Sequence, residues 1–250
     1  MSSGYFPLSC AECAAGAGLG FDFSMAFQPI IDTTYKTIFS YEALVRGPNN
    51  EPASSILSQV HEHNRYRFDQ ACRVKAIKTA SELEMQSFLN INFLPNAVYQ
   101  PETCIRTTLQ AAKEYHFPVE KIIFEVTEGE KVSDPLHLDA IMKEYKHRGF
   151  LTAIDDFGAG YSGLNLLAKF QPNYVKLDMA LTRNIDKDRI KHTIVNSIIQ
   201  VCRELDIRII AEGIETKDEF ASLQDLGVTL FQGYLFAKPA FEELPVVNFG

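Results

Sequence analysis

Residues 151 to 161 hold a strong chemical signal in this sequence of 250 residues. An apolar run of the kind found in strands buried on both faces ends in Asp155 and Asp156, and a glycine-rich turn follows. Burying a carboxylate without a partner is expensive, and two adjacent carboxylates repel each other. The pattern therefore indicates a bound cation, with a solvated turn or a helix cap as the alternative.

The same pattern recurs along the chain, because polar side chains lie within or at the end of other apolar runs. A packed hydrophobic core needs none of them, and a buried amide or charge must find a partner. These residues are Glu42, Asn90, Asn92, Glu125, Glu128, Lys176, Glu212 and Gln232.

Glu42 and Arg46 lie four residues apart in a predicted strand, which places both on the same face. A planar guanidinium suits a phosphate, which it can bind through two hydrogen bonds. A salt bridge between the two side chains is the alternative.

The elements that must position these residues alternate between strands and helices. The first two strands, Met25–Ile31 and Thr37–Val45, are separated by a short turn, so we expect them to pair antiparallel. Further along, a single long helix is predicted from about Met179 to Glu204. About eight strands in a chain of this length predict an α/β fold, a TIM-like (β/α)8 barrel with the first strand antiparallel. Its rim at the carboxyl ends of the strands would gather the polar residues.

The domain prediction is an irregular leader over residues 1–24 and a barrel over residues 25–250. With 46% hydrophobic and 22% charged residues the composition is that of a globular protein, and the net charge of −8 argues against binding a nucleic-acid polymer. No apolar run approaches the ~18 residues of a membrane span. The first basic residue is Lys36, so we predict no signal peptide and a cytoplasmic location.

The five cysteines are odd in number and irregularly spaced, which does not indicate a disulfide framework. Cys10 and Cys13 form a C-x-x-C pair that could be half of a zinc site or a redox pair, but no second pair completes a ligand set. The other three are predicted to be small apolar core residues, and His61 and His63 to be solvated.

Taken together, the motifs resemble those of the EAL-domain family of cyclic di-GMP phosphodiesterases. The similarity runs in order from about Phe27 to Pro239, although each motif alone is weak. The motifs are Glu42-Ala43-Leu44, Asn92, Glu125-Val126-Thr127-Glu128, Asp155-Asp156-Phe157-Gly158, Lys176-Leu177-Asp178, Ala211-Glu212-Gly213-Ile214-Glu215 and Gln232-Gly233-Tyr234.

The resemblance implies hydrolysis of cyclic di-GMP to linear pGpG with two Mg²⁺ or Mn²⁺ ions about 4 Å apart. It implies a catalytic role for Lys176, which would hold the attacking water, and for Glu212 as general base or anchor of a metal-bound water. The implied metal ligands are Glu42, which also counts as catalytic, Asn92, Glu125, Asp155 and Asp156, with Asp155 shared between the two ions. The implied substrate-binding residues are Gln28, Leu44, Arg46 and Gln232, and Glu128 and Glu215 would support the loop from Phe157 to Leu164.

That loop would couple metal binding to dimerisation, so the resemblance also implies a homodimer. The leader with Cys10 and Cys13, or a regulatory protein partner, could supply control. Two other functions stay open at this point: a non-catalytic cyclic di-GMP receptor that signals through its dimer surface, and another metal-dependent barrel enzyme that acts on a small phosphate ester.

Overall fold

The computed structural model describes residues 19–98, 100–127, 135–160 and 163–249. Cys10, Cys13, Glu128 and loop residues 161 and 162 lie outside these ranges. The boundary between leader and barrel near residue 24 stays a prediction, although Leu19 and Phe23 are already buried in the main core.

The described residues form one sheet of nine strands, of which eight close into a barrel. Strands β2 to β8 are parallel to one another, whereas β1 lies between β2 and β8, is antiparallel to both and closes the sheet. This topology confirms the predicted fold. The strands are β1 (Ser24–Asp32), β2 (Thr37–Arg46), β3 (Phe88–Asn92), β4 (Ile122–Thr127), β5 (Leu151–Phe157), β6 (Tyr174–Leu177), β7 (Arg208–Ala211), β8 (Leu230–Gln232) and β9 (Ala240–Phe241).

The reversed direction of β1 determines where the chain enters the barrel. Ser24 faces Arg46 at the rim where β2 ends, and Asp32 faces Thr37 at the opposite end. The short β9 pairs with β1 at Ala26, close to the same rim. The chain therefore enters the barrel and forms its last strand at the rim that carries the polar residues.

Helices surround the barrel, and in the described ranges none combines the length and apolar character needed to cross a bilayer. Cys72, Cys104 and Cys202 are buried free thiols, as expected for apolar core residues. The helices are α1 (Ala53–Leu57), α2 (Arg65–Glu82), α3 (Pro101–Glu114), α4 (Pro135–His147), α5 (Gly163–Lys169), α6 (Met179–Thr182), α7 (Arg189–Glu204) and α8 (Lys217–Asp225).

The prediction of one helix from Met179 to Glu204 is wrong, because α6 and α7 are separate. Asn184 has a φ of +57°, which a continuing right-handed helix does not allow. The side chain of Asp188 then accepts hydrogen bonds from the backbone N–H groups of Ile190 and Lys191, and so caps the start of α7.

The interior of the barrel is layered. Its lower layer is an apolar cluster that includes Ile30, Ile123, Ala153, Tyr174, Ile210 and Leu230. Side chains on one face of a strand recur every second residue, so the next inward position on each strand lies one layer nearer the rim. On β1 and on β4 to β8 those positions are polar, and they are Gln28, Glu125, Asp155, Lys176, Glu212 and Gln232.

Glu219 joins α8 to the segments that follow α6 and β7. Its Oε1 accepts the N–H of Asn184 at 2.9 Å, and its Oε2 accepts the N–H groups of Glu215 and Thr216 at 3.1 Å. The hydroxyl of Thr216 accepts the Glu219 N–H in return, which completes a capping box. Burial by itself raises the pKa of Glu219, but these donors and Arg183 outweigh it, and the pKa lies below its ordinary value.

We predict that Glu219→Gln lowers the free energy of unfolding at pH 7 by about 1–3 kcal/mol, because the amide cannot replace the charged acceptor. Since the folded state lowers the pKa, the carboxylate stabilises the fold above the ordinary Glu value of about 4.3, and this contribution is lost as pH falls through the folded pKa. Urea unfolding of both chains at pH 7 measures the loss of stability, and the same experiment below about pH 4 measures how much of it disappears in acid. If the difference in unfolding free energy between the unmodified chain and Glu219→Gln is as large in acid as at pH 7, the charged carboxylate of Glu219 is not the stabilising acceptor.

Candidate active site

The centre of the site is the ammonium group of Lys176, which is buried in β6. Four carboxylates from different strands converge on it. The distances from Lys176 Nζ are 2.7 Å to Glu212 Oε1, 2.9 Å to Glu125 Oε2, 2.9 Å to Asp155 Oδ1 and 3.3 Å to Glu42 Oε2. The structure thus brings together the residues that the sequence placed at the ends of β2, β4, β5, β6 and β7.

Amide side chains donate hydrogen bonds to two of these carboxylates, those of Glu42 and Glu125. Asn92 donates to Glu42 Oε1 at 2.9 Å, and Gln232 donates to Glu42 Oε2 at 2.8 Å. Asn90 donates to Glu125 Oε1 at 2.6 Å. Asn90 was recognised in the sequence as an amide that needs a partner, but it was left out of the predicted site. Its position two residues before Asn92, on the same strand face, was the available signal.

Two acidic triads share one carboxylate. Oxygens of Glu42, Glu125 and Asp155 lie within 4.8 Å of one another, and so do oxygens of Asp155, Asp156 and Glu212. Asp155 belongs to both triads, and the family resemblance implied that it is shared between two ions. Glu212 joins the second triad, for which the resemblance implied only Asp155 and Asp156. The ligand roles themselves stay predictions.

The position of Asp156 depends on a local irregularity in β5. Alternation along a regular strand would send Asp155 and Asp156 to opposite faces. The pairing of β5 with β6 shifts register between Ile154 and Phe157, and Asp156 has a φ of +54°. Aspartate tolerates this left-handed conformation better than most residues do. The irregularity therefore brings both carboxylates into one cluster.

Burial and mutual repulsion set the proton affinities of the acidic residues. Burial and the neighbouring carboxylates raise the pKa of Glu125 and Glu212 well above the ordinary range, although Lys176 opposes the shift. Burial and the charges of Asp155 and Asp178 raise the pKa of Asp156 to about 6.

The attraction between the ammonium and the carboxylates determines the pKa shifts of Glu42 and Lys176. Burial by itself raises the pKa of Glu42, but Lys176, Gln232 and Asn92 outweigh it and lower the pKa. Burial likewise lowers the pKa of Lys176, but the surrounding carboxylates hold it well above its usual value. The single positive charge of Lys176 thus balances only part of the negative charge of the carboxylates.

This set of donors fits divalent cations. Five carboxylates form the two triads and only one ammonium lies among them, in contact with four, so added positive charge would relieve their repulsion. Two buried amide oxygens, Asn90 Oδ1 and Gln232 Oε1, accept no hydrogen bond in the described part of the chain. Oxygen ligands of this kind suit Mg²⁺ and Mn²⁺ and are poor for softer metals.

An open cavity of about 390 Å³ lies beside the carboxylates. Gln28 lines it and is held by a hydrogen bond of 3.5 Å from its Nε2 to the carbonyl of Ala237. Leu44 and Arg46, both described, are not among its lining residues. The other lining residues are Glu42, Asp156, Asp178, Met179, Arg183, Glu212, Gly213, Glu215, Gln232, Gly233 and Tyr234.

Arg46 lies at the end of β2, where its Nη1 donates to the carbonyl of Val45 at 2.7 Å. No ion pair between Arg46 and Glu42 is found among the described residues; Glu42 is paired with Lys176 instead. The salt bridge considered as an alternative is therefore not formed. A role for Arg46 and Leu44 in substrate binding stays a prediction.

Backbone contacts fix the rim where β7 and β8 end. The N–H of Ile214 donates to the carbonyl of Gln232 at 3.1 Å, and the N–H of Leu235 donates to the carbonyl of Ile214 at 3.0 Å. A Cβ on Gly233 would lie 2.1 Å from the Ile214 oxygen, so only glycine permits this approach. Glu212 and Gln232 are thereby held on neighbouring strands at a fixed separation.

Glu215 is paired with Arg183, in the segment that follows α6. Its Oε1 forms an ion pair of 2.8 Å with Arg183 Nη2. Two residues before Arg183, the side chain of Leu181 leaves no space for a Cβ on Gly158, which would approach Leu181 Cδ1 to 2.3 Å. A supporting role for Glu215 stays a prediction, and Glu128 lies outside the described residues.

Residues 19–239 match the EAL domain, and the chain belongs to the EAL domain family. A solved structure of a standalone versatile EAL protein from Vibrio cholerae O395, in its c-di-GMP-bound form, is 59% identical with a TM-score of 0.89, covering 92% of this chain and 97% of that one. A calcium and cyclic di-GMP complex of Klebsiella pneumoniae BlrP1 is 33% identical with a TM-score of 0.86, covering 92% of this chain and 58% of that one.

Among curated proteins, the blue light- and temperature-regulated antirepressor BluF of Escherichia coli K12 is 32% identical over 223 residues, or 89% of this chain and 55% of BluF. The cyclic di-GMP phosphodiesterase PdeR of the same organism is 33% identical over 148 residues, or 59% of this chain and 22% of PdeR. The chain thus spans little more than half the length of BluF and less of PdeR.

We predict that Lys176→Met lowers the stability of the metal-free protein by about 3–5 kcal/mol, since the variant leaves buried carboxylates without their shared cation. In EDTA this should lower the Tm by roughly 10 °C. Adding Mn²⁺ should raise the Tm of the variant more than that of the unmodified chain, because the metal would replace the lost positive charge. Equal Tm values in EDTA would contradict a central role for the ammonium.

Proposed function

We propose that this chain is a metal-dependent phosphodiesterase that hydrolyses cyclic di-GMP to linear pGpG with two Mg²⁺ or Mn²⁺ ions. The observation that carries the proposal is the pair of carboxylate triads that share Asp155 beside an open cavity. The named activity of PdeR and of Pseudomonas aeruginosa RocR, and the manganese and cyclic di-GMP complex of BlrP1, support it.

The cations, when bound by Glu42, Asn92, Glu125, Asp155 and Asp156, would supply Lewis-acid chemistry and neutralise the phosphodiester charge. Lys176 has three N–H donors, which face four carboxylates at 2.7–3.3 Å. With those carboxylate oxygens bound to cations, a donor of Lys176 would be free to hold the attacking water. Glu212, whose Oε1 lies 2.7 Å from Lys176 Nζ, would accept the proton of that water as general base or anchor a metal-bound water. Gln232 and Gln28, at the cavity, would orient the substrate together with Arg46 and Leu44.

The atoms balance without a further reactant. The water oxygen forms a bond to phosphorus and one phosphorus–oxygen bond of the ring breaks. The departing sugar oxygen takes up a proton, which Glu212 can return after accepting one from the water.

A receptor that only binds cyclic di-GMP is not favoured. Buried carboxylates repel an anionic ligand unless cations neutralise them, so binding alone gives no reason to gather five of them at one rim. The antirepressor role in the name of BluF belongs to that relative. A cytoplasmic location and control by a protein partner stay predictions from the sequence.

We also propose that the protein forms a homodimer through α7. Apolar side chains at Ile190, Ile194, Val201 and Leu205 are 72%, 45%, 42% and 41% exposed, although they lie along one helix. The neighbouring face of the helix packs on the core through Val195, Ile199 and Cys202. An exposed apolar stripe of this kind, although interrupted at Ser197, is typical of an interaction surface.

The test of activity is turnover of cyclic di-GMP with Mg²⁺ or Mn²⁺, followed by chromatography of pGpG. We expect EDTA to abolish turnover, and Glu42→Gln to lower kcat/KM at least about 100-fold, because a metal ligand is lost. Glu62→Gln changes an exposed carboxylate away from the site and should leave turnover unchanged. Tight binding of cyclic di-GMP without turnover by the unmodified chain would support the receptor instead.

The test of the dimer is the solution mass. We expect sedimentation equilibrium to give a dimer for the unmodified chain and a monomer for the double variant Ile190→Glu, Ile194→Glu, because burying two charges opposes association. Val246→Glu, at a side chain that is 96% exposed outside the stripe, should remain dimeric. A strictly monomeric unmodified chain would remove the proposal.

A further inference from the structure

A buried ion pair lies behind the active site, between α2 and the outer surface of the barrel. Arg73 Nη2 is 2.7 Å from Asp69 Oδ2, and both side chains are almost completely excluded from solvent. Gln70 also donates to Asp69 Oδ2 at 3.1 Å. No step of the proposed reaction uses this pair.

Aromatic residues enclose the guanidinium group. Arg73 Nη1 donates to the hydroxyl of Tyr145 at 2.8 Å, and the guanidinium carbon lies 5.0 Å from the ring of Phe124 and 5.5 Å from that of Phe93. Replacing a buried ion pair by apolar residues of similar volume is often neutral or stabilising. Stability alone therefore does not explain why a charged pair lies here.

The pair is connected to the active site through the end of β3. Asp69 Oδ1 accepts the backbone N–H of Leu94 at 2.9 Å. The preceding N–H, of Phe93, donates to the carbonyl of Glu125 at 3.0 Å. The two peptide groups that follow Asn92 are thus both anchored, one to β4 and one to Asp69.

The guanidinium group of Arg73 also contacts β4, the strand that carries Glu125. Phe93 follows Asn92 directly, and Phe124 directly precedes Glu125. Because side chains alternate along a strand, an aromatic ring on the outer surface fixes the inward direction of its neighbour. Arg73 packs on both rings, so it contacts the residues that adjoin the predicted ligands Asn92 and Glu125.

We propose that Asp69 is a positioning residue for the metal site. Through the Leu94 N–H it holds the end of β3, so that Asn92 keeps its amide against Glu42 and its oxygen available to a cation. Arg73 holds Asp69 in the orientation that this requires. The inference rests on the proposed function, because it assigns Asp69 to the metal site on which that function depends.

Two double variants separate this role from a purely structural one. Asp69→Asn with Arg73→Met removes both charges and keeps an oxygen that can accept the Leu94 N–H. Asp69→Leu with Arg73→Met removes both charges and the acceptor, with little change in side-chain shape. Neither variant leaves a single buried charge unpaired, and a cooperative Tm checks that each is folded.

The readout is binding of Mn²⁺ alone, measured by isothermal titration calorimetry. We expect the variant with leucine to bind Mn²⁺ about 10–100-fold more weakly than the unmodified chain, as is common when a group that orients a ligand is lost. The variant with asparagine should stay within about threefold of the unmodified chain, since it keeps the acceptor.

The positioning role of Asp69 would be overturned if the unmodified chain and both double variants bound Mn²⁺ equally well, or if both variants lost the same amount of Mn²⁺ affinity. Either result would leave the proposed function intact. No Mn²⁺ binding by the unmodified chain would overturn both. If the leucine variant does not fold, amide hydrogen exchange of the unmodified chain decides. The Leu94 amide should then exchange as slowly as the amides of Leu89 and Ile91, although it lies beyond the end of β3, and fast exchange at Leu94 would overturn the proposal.

Discussion

The repulsion among five acidic side chains at one rim of the barrel is the constraint that the rest of the structure must meet. Lys176 balances part of that charge through contacts of 2.7–3.3 Å to four of them. Burial and the neighbouring acids still raise the pKa of Glu125, Asp156 and Glu212, and no second basic side chain is paired with them among the described residues. A site of this kind is poised to take up positive charge, and the surrounding fold must hold the acids together against their mutual repulsion.

The barrel meets this constraint by layering. Apolar side chains fill the lower interior, and on β1 and on β4 to β8 the position two residues nearer the rim is polar. Closing the sheet brings these positions together, although they are separated by up to about two hundred residues of sequence. Backbone contacts at Gly233 and the amides of Asn90, Asn92 and Gln232 then limit how far the acids can separate.

The sequence was sufficient to predict the barrel, its reversed first strand and most of the clustered residues. Each of these depends on a local signal: a strand period, a short turn, or a polar side chain at the end of an apolar run. What it did not reveal depends on contacts across the fold. The break between α6 and α7 arises at Asn184, and the inward turn of Asp156 arises from a register shift against β6. The pairing of Asp69 with Arg73 looks like an ordinary i, i+4 surface pair until the packing of α2 buries it.

The reversal of β1 has a consequence for how the protein can be controlled. In a barrel built only of parallel strands the first strand begins at the face opposite the active site. Here Ser24 enters at the active-site rim, and β9 lies beside β1 at Ala26 and Phe27. The segments just before β1 and just after β8 therefore both lie at the mouth of the cavity. A conformational change in either segment can alter the cavity directly, without a change in the barrel wall.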